Sequence, residues 1–294
     1  MAMTDSIRPL RSALFLPASN PRAIEKARGL DADVVILDLE DAVAPEAKAG
    51  ARAAAVAAVG EGDFKAPTVV IRTNALDTEW GADDLEAIAR SKVNAVLVPK
   101  VASVGDVELY HAELAGAAAG MQLWVMIETC RAMAQLQPIA DMAACTRLSA
   151  MVVGTNDLAL ELRARPESNR AGLVPYLALA VAAARAAGIA VLDGVCNDFT
   201  DLDRFAAECA QGRALGFDGK SLIHPAQIEA CNLAFAPSAD EVDHAKALIA
   251  AFADPLNSGK GAIRVAGRMV ERLHLGQAEH LVALHEAIPA SRHG

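Results

Sequence analysis

A chain of 294 residues, 53% apolar and 22% charged, can bury a large core and reads as a globular protein, not a disordered one. Its net charge of −10 comes without any run of Lys or Arg, which argues against nucleic-acid binding. The five cysteines are scattered and never form a C-x-x-C pair, which argues against a disulfide frame or a zinc site and reads as the reduced thiols of a cytoplasmic protein.

Residues 1–11 lack the apolar stretch of a signal peptide, and no later apolar run reaches the length of a membrane span. No membrane association is therefore expected. Short apolar runs recur at Ser12–Leu16, Val34–Leu37, Thr68–Arg72, Ala95–Val98, Gln122–Ile127, Ala150–Val153, Ile189–Leu192 and Ala214–Phe217. They are continuous rather than alternating, as strands covered on both faces would be. Helical patterns fill the gaps between them. One helix opens at Asn20-Pro21, a cap residue followed by proline at the first helical position, and stops near Gly29. Another covers the Ala-rich stretch 45–59, and a third ends at Ala187 before Gly188.

Eight strands separated by helices predict an α/β fold, a closed (β/α)₈ TIM barrel. An open doubly wound sheet fits less well, because no G-x-G-x-x-G follows the first strand. Ser238 and Glu241 form an S-x-x-E capping box that opens a helix to about Ala253, and a turn-rich stretch, 254–261, follows it. This predicts a barrel domain over 1–254 and a C-terminal helical extension over 255–294, acting as a lid or as an arm on a neighbouring subunit.

Barrels of this kind carry their active sites at the C-terminal ends of the strands. The reactive residues expected there are Asp38, Glu40, Asp41, Arg72, Asn74, Lys100, Glu128, Asp157, Asp193, Asn197, Asp218 and Lys220. Glu128 and Asp157 follow adjacent strands, whose ends lie about 5 Å apart, so both carboxylates can reach one ion. Hard oxygen ligands with no His or Cys beside them suit Mg²⁺. The alternative is that each carboxylate caps the helix after it. Arg72 can hold a carboxylate with both arms of its guanidinium, or can form a structural ion pair with Glu40 or Asp41. Glu40 and Asp41 are candidates to bind metal-bound water, or else form a charge cluster ahead of the helix at Pro45.

Other signals are weaker. Gly219-Lys220-Ser221 lacks the first glycine of a phosphate loop, since residue 214 is Ala. His280 and His285 have the wrong spacing for a zinc helix. Cys130 reads as a packing residue, and a Schiff-base role for Lys100 is less attractive than metal chemistry.

Several segments resemble one family. They are Arg11-Ser12-Ala13-Leu14-Phe15-Leu16-Pro17, Asp38-Leu39-Glu40-Asp41-Ala42-Val43 with Lys48 and Arg52, Ile71-Arg72-Thr73-Asn74, Val98-Pro99-Lys100, Ile127-Glu128-Thr129, Gly154-Thr155-Asn156-Asp157-Leu158 and the stretch from Gly216 to Pro225. In this order they resemble the citrate lyase beta subunits and related CoA ester lyases of the HpcH-HpaI aldolase family, over roughly residues 8–285. The resemblance implies a TIM barrel, assembled as a homotrimer or hexamer. It implies Mg²⁺ on Glu128 and Asp157, with Arg72 and Glu128 touching substrate. It also implies coenzyme A near Asn20, Arg22 and Lys26. The segment Gly267-Arg268-Met269-Val270-Glu271 matches a motif that commonly ends in Asp, a catalytic acid/base that reaches a neighbour's site. Here the carboxylate is Glu271, one methylene longer, and its reach differs.

The expected activity is therefore Mg²⁺-dependent carbon–carbon cleavage or formation on a 3-hydroxyacyl-CoA with a terminal carboxylate, of the malyl-CoA or citramalyl-CoA type. The partners are a CoA thioester and a 2-oxo acid, and thioester hydrolysis after condensation stays open. The alternatives are an Mg²⁺-dependent aldolase on free 2-oxo acids, a citrate lyase beta subunit acting on a carrier-protein thioester, and a non-catalytic barrel scaffold.

Overall fold

The computed structural model describes residues 8–165, 169–257, 259–265 and 267–288. Eight parallel strands close into a barrel in sequence order: β1 (Ser12–Pro17), β2 (Val34–Asp38), β3 (Thr68–Arg72), β4 (Ala95–Val98), β5 (Gln122–Ile127), β6 (Leu148–Val153), β7 (Ala190–Asp193) and β8 (Gly219–Leu222). Closure is the pairing of β8 with β1, Ser12 opposite Lys220 and Leu14 opposite Leu222. The intervening helices are α1 (Pro21–Arg28), α2 (Lys48–Glu61), α3 (Gly81–Ala89), α4 (Val104–Glu113), α5 (Cys130–Ala134), α6 (Leu136–Asp141), α7 (Thr155–Leu162), α8 (Val174–Ala187), α9 (Leu202–Leu215) and α10 (Ile228–Phe235). After them come α11 (Ala239–Ala253), a hairpin of β9 (Ala262–Val265) and β10 (Arg268–Glu271), and α12 (Leu273–Ala287). The expected TIM barrel is what the chain forms.

Local signals act where the sequence places them. Asn20 caps α1 by accepting the N–H of Ala23 at 3.1 Å, and Pro21 occupies the first helical position. Ser238 and Glu241 form the capping box of α11. One element differs from expectation. The apolar run Ala214–Phe217 is not strand eight. Its first two residues are the last turn of α9, which Gly216 ends in the left-handed region at φ 99°. The strand is the next four residues, Gly219-Lys220-Ser221-Leu222.

The continuous apolar strands bury both faces. Inside the barrel, Trp124 fills the centre among the small side chains Ala13, Ala95 and Ala150, with Ile36, Val70, Leu97 and Val152 around it. Such alternation of large and small residues fills a barrel without voids, and truncating Trp124 would cost about 3–5 kcal/mol. The outer faces, among them Val35, Ile71, Val96, Val125 and Met151, pack against the helices.

By contact the chain divides between Phe235 and Ala236. Thus α11, which the sequence reading grouped with the barrel over 1–254, packs with the later elements. Ala245, Leu248 and Phe252 of α11 meet Ile263, Val265, Val270 and Ala278 in a small core of their own. The extension is not purely helical, since β9 and β10 form a hairpin in it. Among the described residues, no helix is long and apolar enough to cross a membrane.

Candidate active site

A cavity of about 390 Å³ opens at the C-terminal ends of the barrel strands. It is lined by Phe15 of β1, Asp38 and Asp41 at the end of β2, Arg72 of β3, Glu128 after β5 and Asp157 in α7, with Met126, Val153 and Val195 as apolar wall. The carboxylates and the guanidinium expected at the rim do converge.

Arg72 sits opposite Asp38 in the parallel register of β2 and β3, so the two side chains project from adjacent strands. Its Nε and Nη2 donate to the two Asp38 oxygens, both at 2.6 Å. Nη1 lies 2.7 Å from Glu40 Oε2, an ion pair without hydrogen-bond alignment, and donates to Asp41 at 3.4 Å. The guanidinium also stacks over Phe15, 5.0 Å from the ring centroid. Burial alone would lower the Arg72 pKa, but Asp38, Glu40 and Asp41 hold it above its ordinary value. The sequence reading named Glu40 or Asp41 as the ion-pair partner. Both contribute, but the bidentate clamp is Asp38. That residue also accepts the backbone N–H groups of Glu40 and Ala42, which fixes the loop carrying the other acids.

Behind this loop, the buried Lys48 uses all three of its donors. Its Nζ donates to Leu39 O at 2.9 Å, Glu40 O at 3.0 Å and Asn74 Oδ1 at 2.6 Å. Asn74, expected at the rim, is committed instead to this support, donating to Asp84 and Leu39 O.

Glu128 is 3% exposed. Burial pushes its pKa up to about 7, against a hydrogen bond from the Lys100 amide, and Asp157 adds to the rise. Glu40 goes up to about 8, again by burial, against the pull of Arg72. The Lys100 amide donates to Glu128 Oε1 at 2.8 Å, and no protein donor reaches Oε2 among the described residues. Asp157 lies in the first turn of α7, yet α7 has no side-chain cap hydrogen bond. The N-cap is Gly154, which has no side chain, and the Asp157 charge suits the positive end of the helix. This glycine stands against Glu128. A β-carbon there would lie 2.5 Å from Glu128 Cβ and closer still to Oε2.

This arrangement fits a divalent cation. Two hard oxygen donors act on each other electrostatically, with Arg72 and Lys100 offsetting part of the charge, and Glu128 is desolvated. Among the described residues no three His, Cys, Asp or Glu side chains form a metal cluster. Two carboxylates with the remaining positions left to water or substrate is a donor set that would suit Mg²⁺.

Other expected rim residues lie elsewhere. Asp218 precedes β8 and pairs with Arg185 at 2.8 Å. Lys220 is fully buried within β8, donating to Asp193 at 2.9 Å and to Gly194 O. Asp193 ends β7 and is held on its other side by Arg170 at 2.8 Å. These residues brace the barrel wall. Asn197 pairs with Asn156, amide to amide, at the rim. Arg22 and Lys26 are exposed on α1, beside the Asn20 cap. Glu271 is exposed on β10, within the C-terminal unit.

The family model of the HpcH/HpaI aldolase/citrate lyase family matches residues 11–225. A (3S)-malyl-CoA thioesterase of Cereibacter sphaeroides is 44% identical over 290 residues, covering 99% of each chain. An L-malyl-CoA/beta-methylmalyl-CoA lyase of the same species is 33% identical, covering 96% of each. The crystal structure of CitE from Mycobacterium tuberculosis in complex with magnesium, acetoacetate and coenzyme A matches with a TM-score of 0.72 at 32% identity, covering 95% of this chain and 98% of that one.

Proposed function

The chain belongs to the HpcH/HpaI aldolase/citrate lyase family and is an enzyme of the CoA ester lyase kind, and from this premise we propose that it cleaves a malyl-CoA-type thioester with the help of Mg²⁺. The substrate is a 3-hydroxyacyl-CoA with a terminal carboxylate, and the products are a 2-oxo acid and acetyl-CoA. The observation that carries the reading is that Glu128 and Asp157, which form no side-chain ion pair among the described residues, line one cavity beside an arginine clamped by Asp38.

Glu128 and Asp157 would hold Mg²⁺, whose Lewis acidity would polarise the substrate's carboxylate and carbonyl oxygens. Arg72 is fixed by Asp38 before substrate arrives, so its positive charge is preorganised for an oxygen on which charge develops. Its Nε and one Nη2 proton are taken by Asp38, which leaves the other Nη2 proton for substrate. The apolar wall of Met126, Val153 and Val195 excludes water from the enolate that forms as the C–C bond breaks. The hydroxyl proton leaves to a base, the bonding pair moves into the thioester, and a proton returns to carbon. Glu271 is the proposed acid/base, supplied by a neighbouring subunit of a homotrimer or hexamer. Glu40 and Asp41 are proposed to bind water held at the cation. Asn20, Arg22 and Lys26 are the proposed contacts for coenzyme A, whose phosphates the two cations suit. We assign the protein to the cytoplasm on its scattered free thiols.

Hydrolysis of the same thioester is a second reading, favoured by the 44% identity with a malyl-CoA thioesterase. Product analysis separates the two. Cleavage gives acetyl-CoA and a 2-oxo acid, whereas hydrolysis gives free coenzyme A and an intact hydroxydicarboxylate.

A further inference from the structure

Glu128 is oriented by a residue that neither binds a cation nor lines the cavity. Lys100 follows β4 and Pro99, and its backbone stands in the left-handed region at φ 54°. A lysine adopts that conformation only against a steric cost, which glycine would not meet. Some of the chain's other left-handed residues have a local reason for it: Arg163, for example, ends α7 as its cap. Lys100 ends no helix. Its side chain is exposed and, among the described residues, makes no ion pair within contact distance, although its charge acts on Glu128 from farther away. What the conformation achieves is a 2.8 Å hydrogen bond from the Lys100 N–H to Glu128 Oε1. On its other side the Glu128 side chain presses on Gly154, where a β-carbon would not fit.

We infer that Lys100 is the positioning residue for Glu128: its left-handed backbone pins Oε1 and thereby determines that Oε2 is the oxygen offered beside Asp157. This rests on the Mg²⁺ reading of the site. The hydrogen bond comes from the backbone, so its conformation is essential, and two variants that both lack the ammonium isolate it. A β-branched residue is strongly disfavoured in the left-handed region, whereas glycine enters it freely.

The test compares Lys100→Gly with Lys100→Val in the full chain, by Mg²⁺ titration calorimetry, with thermal unfolding to confirm that both variants fold. The glycine variant is expected to bind Mg²⁺ at least tenfold more tightly than the valine variant. Equal affinities in the two would overturn the inference. A second measurement needs no metal. Amide hydrogen exchange at residue 100, followed by NMR in the metal-free protein, is expected to be slow in the wild type and at least tenfold faster in Glu128→Ala. An unchanged exchange rate would overturn the inference whatever the calorimetry gave. If the wild type binds no Mg²⁺, the metal reading fails by itself, and the exchange experiment still decides the role of Lys100.

Discussion

Replacing Gly154 with alanine tests how tightly the two acids are held. The added β-carbon would stand 2.5 Å from Glu128 Cβ, against about 3.4 Å for ordinary contact. Something must therefore move by roughly 1 Å. If Glu128 yields, its carboxylate leaves the place it holds against Gly154. If the backbone at 154 yields, α7 and Asp157 move instead. Both routes change the separation of the carboxylates. Overpacking of this kind costs about 1–3 kcal/mol, which is a few degrees in Tm. The effect on chemistry is larger, because a displacement of ~1 Å at a reacting centre costs ~10²-fold in rate. Gly154→Ala should thus keep its fold, lose Mg²⁺ affinity by calorimetry and turn over ~10²-fold more slowly. Gly29→Ala is the control, since nothing lies within 4 Å of its new β-carbon and φ is −92°. Wild-type Mg²⁺ affinity and rate in Gly154→Ala would show that the Glu128–Gly154 contact is irrelevant to the site.

Further outcomes follow from the same geometry. Arg72→Lys keeps the charge but loses the fork on Asp38, and a charge-assisted bond of about 1.5–3 kcal/mol predicts a ~10–100-fold loss in kcat/KM; wild-type kinetics would make Arg72 purely structural. Burial would raise the pKa of Asp193, yet Lys220 and Arg170 hold it below its ordinary value. A depressed carboxylate stabilises the fold above its unfolded pKa of about 3.9, and that stability is lost as pH falls through the folded value. Asp193→Asn removes the carboxylate charge between Lys220 and Arg170 and leaves Lys220 with Glu208, 3.4 Å away, as its remaining acidic neighbour; it should cost about 3 kcal/mol at neutral pH and flatten the decline of Tm below about pH 4, and a Tm profile parallel to wild type would contradict this. Glu271→Gln should lower kcat without changing Mg²⁺ affinity, and mixing it with Glu128→Gln subunits should restore part of the activity. Full activity of Glu271→Gln alone would leave that carboxylate with no catalytic part.

Much of this fold is legible because a buried parallel strand is a continuous apolar run, and seven of the eight runs became strands at their expected places. Strand eight escaped because it is polar in sequence. Lys220 and Ser221 can be buried only because Asp193 and the Gly194 and Asp193 carbonyls receive their protons, and hydropathy cannot register partners that are far away in the chain. The same limit explains the misplacement of Asp218, which moved to the opposite end of the strand once the strand itself had moved. At the site, strand ends located Glu128, Asp157 and Arg72. The Asp38 clamp was within reach, since aligning β2 with β3 sets Asp38 opposite Arg72, but a choice among three neighbouring acids needs that register. The roles of Gly154 and of the Lys100 amide were not legible. Both depend on where one carboxylate comes to lie between two backbone segments, a matter of packing and not of residue type.

The most direct test of the central claim is product analysis by mass spectrometry, with malyl-CoA and citramalyl-CoA supplied to the wild type and to Glu128→Gln, each with and without Mg²⁺. Acetyl-CoA and the matching 2-oxo acid are expected in equal amounts, only in the wild type and only with Mg²⁺. Free coenzyme A with an intact hydroxydicarboxylate, or turnover that persists in Glu128→Gln, would contradict the central claim.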